Sequence, residues 1–305
     1  MSSMSIKVTM HPDEEGFIGR ECPQCEKYFK VMLGTGLSDQ DQPCTCPYCG
    51  VQEPHDHFWT KAQVRYAESV AFRQVVQKFD REMKKLVRKP NRRAAISIGI
   101  TYKSKPVPIS YYQEIELEQR LTCAGCGLQY AIFGVFGFCP DCGSHNSLQI
   151  LLGNIALTRQ LLALVEEAGG TVGVKLIENA LTDAVAAFDG FGREWAAVHS
   201  HRSSDVHAAR SLSFQNIERA VAGMKRLFDL DMTKPLSERD WHQVKVAFQK
   251  RHLLAHRMGV IDEAYVERTK GDSSDIGKRI RISVSEVAVF LDSLSEMART
   301  LSLEE

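Results

Sequence analysis

Phe248-Gln249-Lys250-Arg251-His252-Leu253-Leu254-Ala255-His256-Arg257-Met258-Gly259 closes the helical pattern that decides how the second half of this chain folds. The pattern opens at Ser237, which has capping-box spacing to Asp240, and Pro235 blocks an earlier start. Gly259 supplies a stop. Between these limits Val244, Ala247, Phe248, Leu254, Ala255 and Met258 fall on one side of a helical wheel, with Arg251 in the middle of the apolar stripe. A buried guanidinium without a partner is costly, so Arg251 needs a counter-charge, a ligand or a cavity. His252 and His256, four residues apart, share a neighbouring face at the edge of the stripe.

Three readings of this helix stand side by side. It is an amphipathic helix with a satisfied core arginine and two edge histidines. Or His252 and His256 are a metal pair, since His-x3-His is a ligand spacing, although no acid lies between them as in H-E-x-x-H and no third ligand follows. Or a histidine for proton transfer stands beside an arginine for a phosphate.

Arg251-His252-x3-His256 resembles the Arg-polar-x3-5-His motif of the HEPN superfamily, and the likeness extends over roughly residues 151–305. The stretch runs on into Gly259-Val-Ile-Asp-Glu-Ala-Tyr265, a short charged loop and a last helix, as in HEPN domains of bacterial proteins. The resemblance implies a metal-independent endoribonuclease or an inactive relative, with a role in bacterial defence or as a toxin. In such an enzyme the RNA supplies its own nucleophile, the 2′-OH, and the products are a 2′,3′-cyclic phosphate and a 5′-hydroxyl. Carried onto this chain, Arg251 holds the scissile phosphate, His256 does the acid–base work, and His252, in the family's polar second position, orients or polarises. On an ideal helix Arg251 and His256 point about 140° apart. A symmetric homodimer, common in the family, would bring two motifs together and give Arg251 a place at an interface.

Around this helix the periodicity is helical throughout. Helices are expected over about 151–168, 172–198 with a possible break at Gly190 and Gly192, 213 or 214 to 230, 262–268, and a last one for which Ser283 and Glu286 have capping-box spacing. The polar stretch 199–211, with His199, His201 and His207, is expected to be a loop. This part of the chain reads as an α-helical bundle.

Before residue 143 the character differs. All nine cysteines lie there, and eight form four Cys-x2-Cys pairs. In a reducing compartment such pairs are metal ligands rather than disulfides. Cys22, Cys25, Cys46 and Cys49 make one four-thiolate set, with Cys44 left over; Cys123, Cys126, Cys139 and Cys142 make a second set that resembles a zinc ribbon. Each is expected to hold one structural zinc ion, with no catalytic metal. Residues 26–31 and 128–136 read as strands.

Between the two sets, residues 58–89 read as a long amphipathic helix ended by Pro90, with Val64, Ala67, Ala71, Val75, Phe79, Met83 and Leu86 on one face. Its end and the following residues, Lys78 to Arg93, are the most basic stretch, either cations at a helix C-terminus or a phosphate-backbone contact. Residues 94–100 and 107–117 read as a hairpin, with Glu114, Glu116 and Glu118 on a solvated strand face.

The chain is thus expected to be α+β and multidomain: a zinc module at 1–57, a helix and hairpin at 58–118, a second ribbon at 119–150 and a HEPN-like helical domain at 151–305. With 38 basic and 38 acidic residues its net charge is zero, so bulk composition demands neither nucleic acid nor membrane. No 18-residue apolar run and no apolar leader are read, so a cytoplasmic protein is expected. RNA is the expected substrate, and the ribbons read substrate or a partner. A non-catalytic nucleic-acid-binding or scaffold protein with a dimerising helical domain is the alternative, and a zinc hydrolase using His252 and His256 is a third.

Overall fold

The computed structural model describes residues 6–37, 42–87, 101–117 and 119–303. The chain is α+β and forms two compact units, Met1–Ser144 and His145–Glu305.

In the first unit, β1 (Phe17–Glu21) and β2 (Tyr28–Met32) flank the first cysteine pair, β3 (Cys44–Thr45) and β4 (Gln52–Glu53) flank the second, and α1 spans Lys61–Leu86. β5 (Gln119–Thr122) and β6 (Gln129–Ile132) flank the third pair. β1, β2, β6 and β5 form one antiparallel sheet in that order, while β3 and β4 pair separately. The four-stranded sheet is a duplication. Cys22 and Cys25 recur 101 residues on as Cys123 and Cys126, each pair joining one strand to the next. At the centre Lys30 pairs with Ala131, its own equivalent 101 residues on, so a local twofold relates the halves. The second cysteine pairs, Cys46 with Cys49 and Cys139 with Cys142, recur at a spacing of 93 residues instead of 101 and follow the same twofold. Thr45 N–H donates to Pro140 O (2.8 Å) and Phe138 N–H donates to Pro47 O (2.9 Å), and residues 45 and 138, like 47 and 140, are equivalents. Phe29, Tyr130, Ile132 and Phe58 fill the core beneath this sheet, Phe29 meeting Phe58 edge-on at 5.8 Å.

α1 starts at Lys61 rather than Phe58, because Thr60 and Gln63 form a full capping box while Phe58 turns its ring into the core from a 3₁₀ turn. Its apolar stripe is only partly covered: Tyr102 packs on Phe79, and Tyr111 and Tyr112 on Tyr66, but Val64, Phe72, Val75, Phe79 and Leu86 stay exposed. Residues 107–117 are not a strand. Glu114, expected in solvent, accepts from Tyr28 Oη and from Gln63 Nε2 (3.0 Å), and Ser110 N–H donates to Ser69 Oγ (3.0 Å). Side-chain bonds thus hold a segment that the alternation of acids and aliphatics had suggested was held by a ladder. The other half of that hairpin, residues 94–100, and residues 88–93 of the basic stretch lie outside the described residues.

The second unit is helical: α2 (Ser147–Ala163), α3 (Val165–Ala168), α4 (Gly170–Val198), α5 (Val206–Arg210), α6 (Ile217–Phe228), α7 (Glu238–Arg257), α8 (Glu263–Thr269) and α9 (Val284–Ser302). α4 packs against α2, α7 and α9, and Phe188, Phe191, Trp195, Phe214, Phe248 and Phe290 lie in the shared core. Gly190 and Gly192 do not break α4. Gly192 instead makes room for Phe214, whose ring would lie 2.5 Å from a Cβ there. Phe214 is therefore core rather than helix start, and α6 begins after it with Asn216 as cap. The expected loop at 199–211 is a 3₁₀ turn and α5, capped by Asp205. By length and composition alone one stretch among the described residues, Ser147–Ala168, spanning α2 and α3, is long and apolar enough to cross a membrane. It buries Leu151, Ile155 and Leu162 in the core while Leu157, Leu161 and Leu164 stay exposed.

Candidate functional sites: two tetrathiolate clusters and a basic groove

Each Cys-x2-Cys turn closes in the same way. The N–H four residues on donates to the carbonyl of the first cysteine: Glu26 to Cys22, Gly50 to Cys46, Gly127 to Cys123 and Gly143 to Cys139, at 2.9–3.0 Å. These four donors all have positive φ, which glycine adopts freely and Glu26 (56°) adopts against its side chain. N–H groups of Gln24, Cys25 and Tyr48 point at cysteine sulfurs at 3.4 Å.

The turns bring Cys22, Cys25, Cys46 and Cys49 together, and likewise Cys123, Cys126, Cys139 and Cys142, each set with all sulfurs within 4.8 Å of one another. Sulfur–sulfur separations of 3.7 Å (Cys22–Cys49, Cys25–Cys46), 3.6 Å (Cys123–Cys142) and 3.5 Å (Cys126–Cys139) fit a metal ion. A tetrahedron with metal–sulfur bonds of about 2.3 Å has edges of about 3.8 Å. Burial pushes the Cys46 and Cys139 thiols up, a cost that a cation drawing off four protons offsets. Cys44 stays outside the first set. Burial pushes its thiol up to about 12 against the pull of Arg20, which lies over the Trp59 ring at 4.6 Å.

The motif helix α7 buries Val244, Ala247, Phe248 and Leu253. Ala255 and Met258 are exposed, so the apolar stripe is shorter than the wheel suggested. The helix ends at Arg257, and Met258 (φ 53°) and Gly259 (φ 78°) turn the chain away. At its start Ser237 caps Asp240 N–H (3.1 Å), but the Asp240 carboxylate takes the Ser237 hydroxyl (2.6 Å), so the box is one-sided.

Arg251 is half-buried on α7, and its Nε is buried without a partner. Among the described residues no hydrogen bond or ion pair reaches its side chain, so the expected core partner is absent. Arg251, His252 and His256 all line an open groove of about 620 Å³ between α6, α7, α8 and the 211–216 loop. The two imidazoles are exposed, with centroids 4.7 Å apart. Burial, and then the charges of His256, Arg268 and Arg251, hold His252 below the usual histidine range, with Asp262 opposing. Among the described residues no third histidine, cysteine or carboxylate joins the pair as a metal-ligand group.

Four cations that the motif did not point to share the groove: Arg219 and Arg226 of α6, Lys245 of α7 and Arg268 of α8. Glu218 is the one carboxylate among the lining residues. The seven-residue spacing of Arg219 and Arg226 was visible in the sequence, but only the packing of α6 beside α7 gives it meaning.

The rim is fixed from behind. Asp189, buried on α4, accepts from Phe214 N–H (2.6 Å), Gln215 Nε2 (3.3 Å) and Arg193 Nε (3.0 Å). Those bonds hold the 211–216 loop that leads into α6.

No family model, curated protein or solved structure matches the chain.

Proposed function

We propose that the chain is a metal-independent endoribonuclease of HEPN type, with two structural zinc ions in its N-terminal unit. The observation that carries this reading is the groove: a half-buried, unpartnered arginine, two adjacent exposed imidazoles and four further cations against one carboxylate. A phosphodiester is the ligand such a site suits, and imidazoles near neutrality are the groups that cleave one through its own 2′-OH.

In this reading Arg251 binds the non-bridging oxygens of the scissile phosphate and stabilises the charge that grows there. The 2′-OH gives up its proton and attacks phosphorus, and the P–O5′ bond breaks. The 2′,3′-cyclic phosphate forms, and the 5′ oxygen leaves protonated. His256 moves the proton, and His252, held below the usual histidine range by burial and then the neighbouring charges, orients it. A homodimer pairs two such motifs. The four-cysteine sites are closed, as structural zinc sites are, and leave the chemistry to the groove.

One observation favours a second reading, a non-catalytic RNA-binding protein. Neither His252 nor His256 has a hydrogen-bond partner among the described residues to fix its ring, as catalytic imidazoles ordinarily have. Cleavage of RNA without added metal separates the two. The wild type cuts and His256→Ala and Arg251→Ala do not, with zinc content and helicity equal in all three. Uncut RNA bound by all three favours the second reading.

A further inference from the structure

From the placement of charge in the groove we infer that Arg219 and Arg226 are substrate-positioning residues. They make α6 a wall that grips the backbone phosphates of a single RNA strand to one side of Arg251. The ligand class rests on the ribonuclease reading; the wall rests on geometry.

Lys225 is matched by Asp229 at 2.7 Å, four residues on. Arg219 and Arg226 have no counter-ion among the described residues, and both line the groove. They lie seven residues apart, two turns or about 10 Å along the helix, on one face. Two guanidiniums at that separation match phosphates of non-adjacent nucleotides in an extended strand.

The position of this wall is not left to a mobile segment. Asn216 Oδ1 accepts Arg219 N–H (3.1 Å) and sets the first turn of α6, and the preceding loop is held by Asp189 through Phe214 and Gln215. Opposite stand Lys245, whose ammonium lies 5.8 Å from the Trp241 ring, and Arg268, which donates to Gln249 Oε1 at 3.3 Å. The groove is thus lined by cations from three helices.

The strand must be single for a steric reason. Arg251 Nε is buried at the groove wall, and an A-form duplex offers its 2′-hydroxyls on a broad shallow surface. A single strand can turn its bases aside and lower one phosphate into the groove.

The test uses the full-length zinc-loaded protein and a fluorescein-labelled 2′-O-methyl oligoribonucleotide, which binds but has no nucleophile. Anisotropy is read against salt for the wild type, Arg219→Ala/Arg226→Ala and Lys225→Ala, each with its thermal unfolding checked. The double variant should bind about tenfold more weakly, with a log K against log salt slope reduced by about 1.4, about 0.7 for each lost phosphate contact. Lys225→Ala should match the wild type. Equal slopes for the double variant and the wild type would overturn the assignment. So would the same oligonucleotide binding as tightly when it is a blunt duplex, or the wild type failing to bind the single strand. If the wall behaves as expected and unmodified RNA survives intact, the ribonuclease reading fails alone.

Discussion

The imidazole rings of His252 and His256 lie 4.7 Å apart, one turn from each other on the exposed flank of α7. At that distance a charge on His256 raises the cost of charging His252. Burial and the neighbouring charges already hold His252 low. An NMR titration should therefore place the His252 midpoint below 6.5, and His256→Asn should move it upward. A midpoint unmoved by that substitution would mean that the two rings do not sense each other.

Asp189 is the buried acceptor that fixes the rim of the groove. Asp189→Ala leaves Phe214 N–H without its acceptor and Arg193 without its carboxylate, and should cost about 2–4 kcal/mol in urea unfolding. Asp189→Asn keeps an acceptor and should cost less. Equal losses for the two would show that charge, not the bond to Phe214 N–H, sets the value.

Gly192 is needed for space rather than for conformation. Its Cβ would meet the Phe214 ring at 2.5 Å inside the core. Gly192→Ala should destabilise the helical unit by about 1–3 kcal/mol despite the better helix propensity of alanine. Gly190→Ala, where nothing lies within 4 Å, should stabilise or leave it unchanged, which thermal unfolding checks.

The two cysteine clusters share one sheet through Lys30 and Ala131 and exchange hydrogen bonds through residues 45–47 and 138–140. Loss of one metal should therefore loosen both. Wild-type protein should carry two zinc ions, and Cys126→Ser should bring the content below one, not to one, by elemental analysis. A clean fall to one ion would mean that the halves fold separately.

Acid should weaken the helical unit. Burial holds His199 below its ordinary value against its bond with Trp195 O, with lesser help from the charges of Arg202, His145 and His201, and its ring stacks on Trp195 at 4.3 Å. The unfolded chain takes up that proton first, so the stability held above about pH 6.5 is lost as pH falls through 6.5 toward the folded value. His199→Gln should flatten this fall in a pH series of unfolding free energies. An unchanged series would remove His199 as its source.

Helix existence and the cysteine sets were legible because they rest on local signals: 3.6-residue periodicity, caps at Ser237 and Ser283, and the Cys-x2-Cys turn. The duplication was harder to read. The repeated halves share little beyond cysteines and turn residues, and only the pairing of Lys30 with Ala131 shows that they face each other. The expected strand at 107–117 did not form because side chains from α1 and β2, distant in sequence, satisfy that segment. The motif pointed to Arg251, His252 and His256, which line the groove, but Arg219, Arg226 and Arg268 line it too, brought there by packing between helices that no local pattern encodes.

The most direct measurement is the end chemistry of cleaved RNA, using an oligoribonucleotide and the same strand with one 2′-deoxy nucleotide at the mapped cut. The account predicts a 2′,3′-cyclic phosphate and a 5′-hydroxyl from the all-ribo strand without added metal. It also predicts no cut at the deoxy position, and no cut of either strand by His256→Ala. A 5′-phosphate product, or cleavage at the deoxy position, would contradict it.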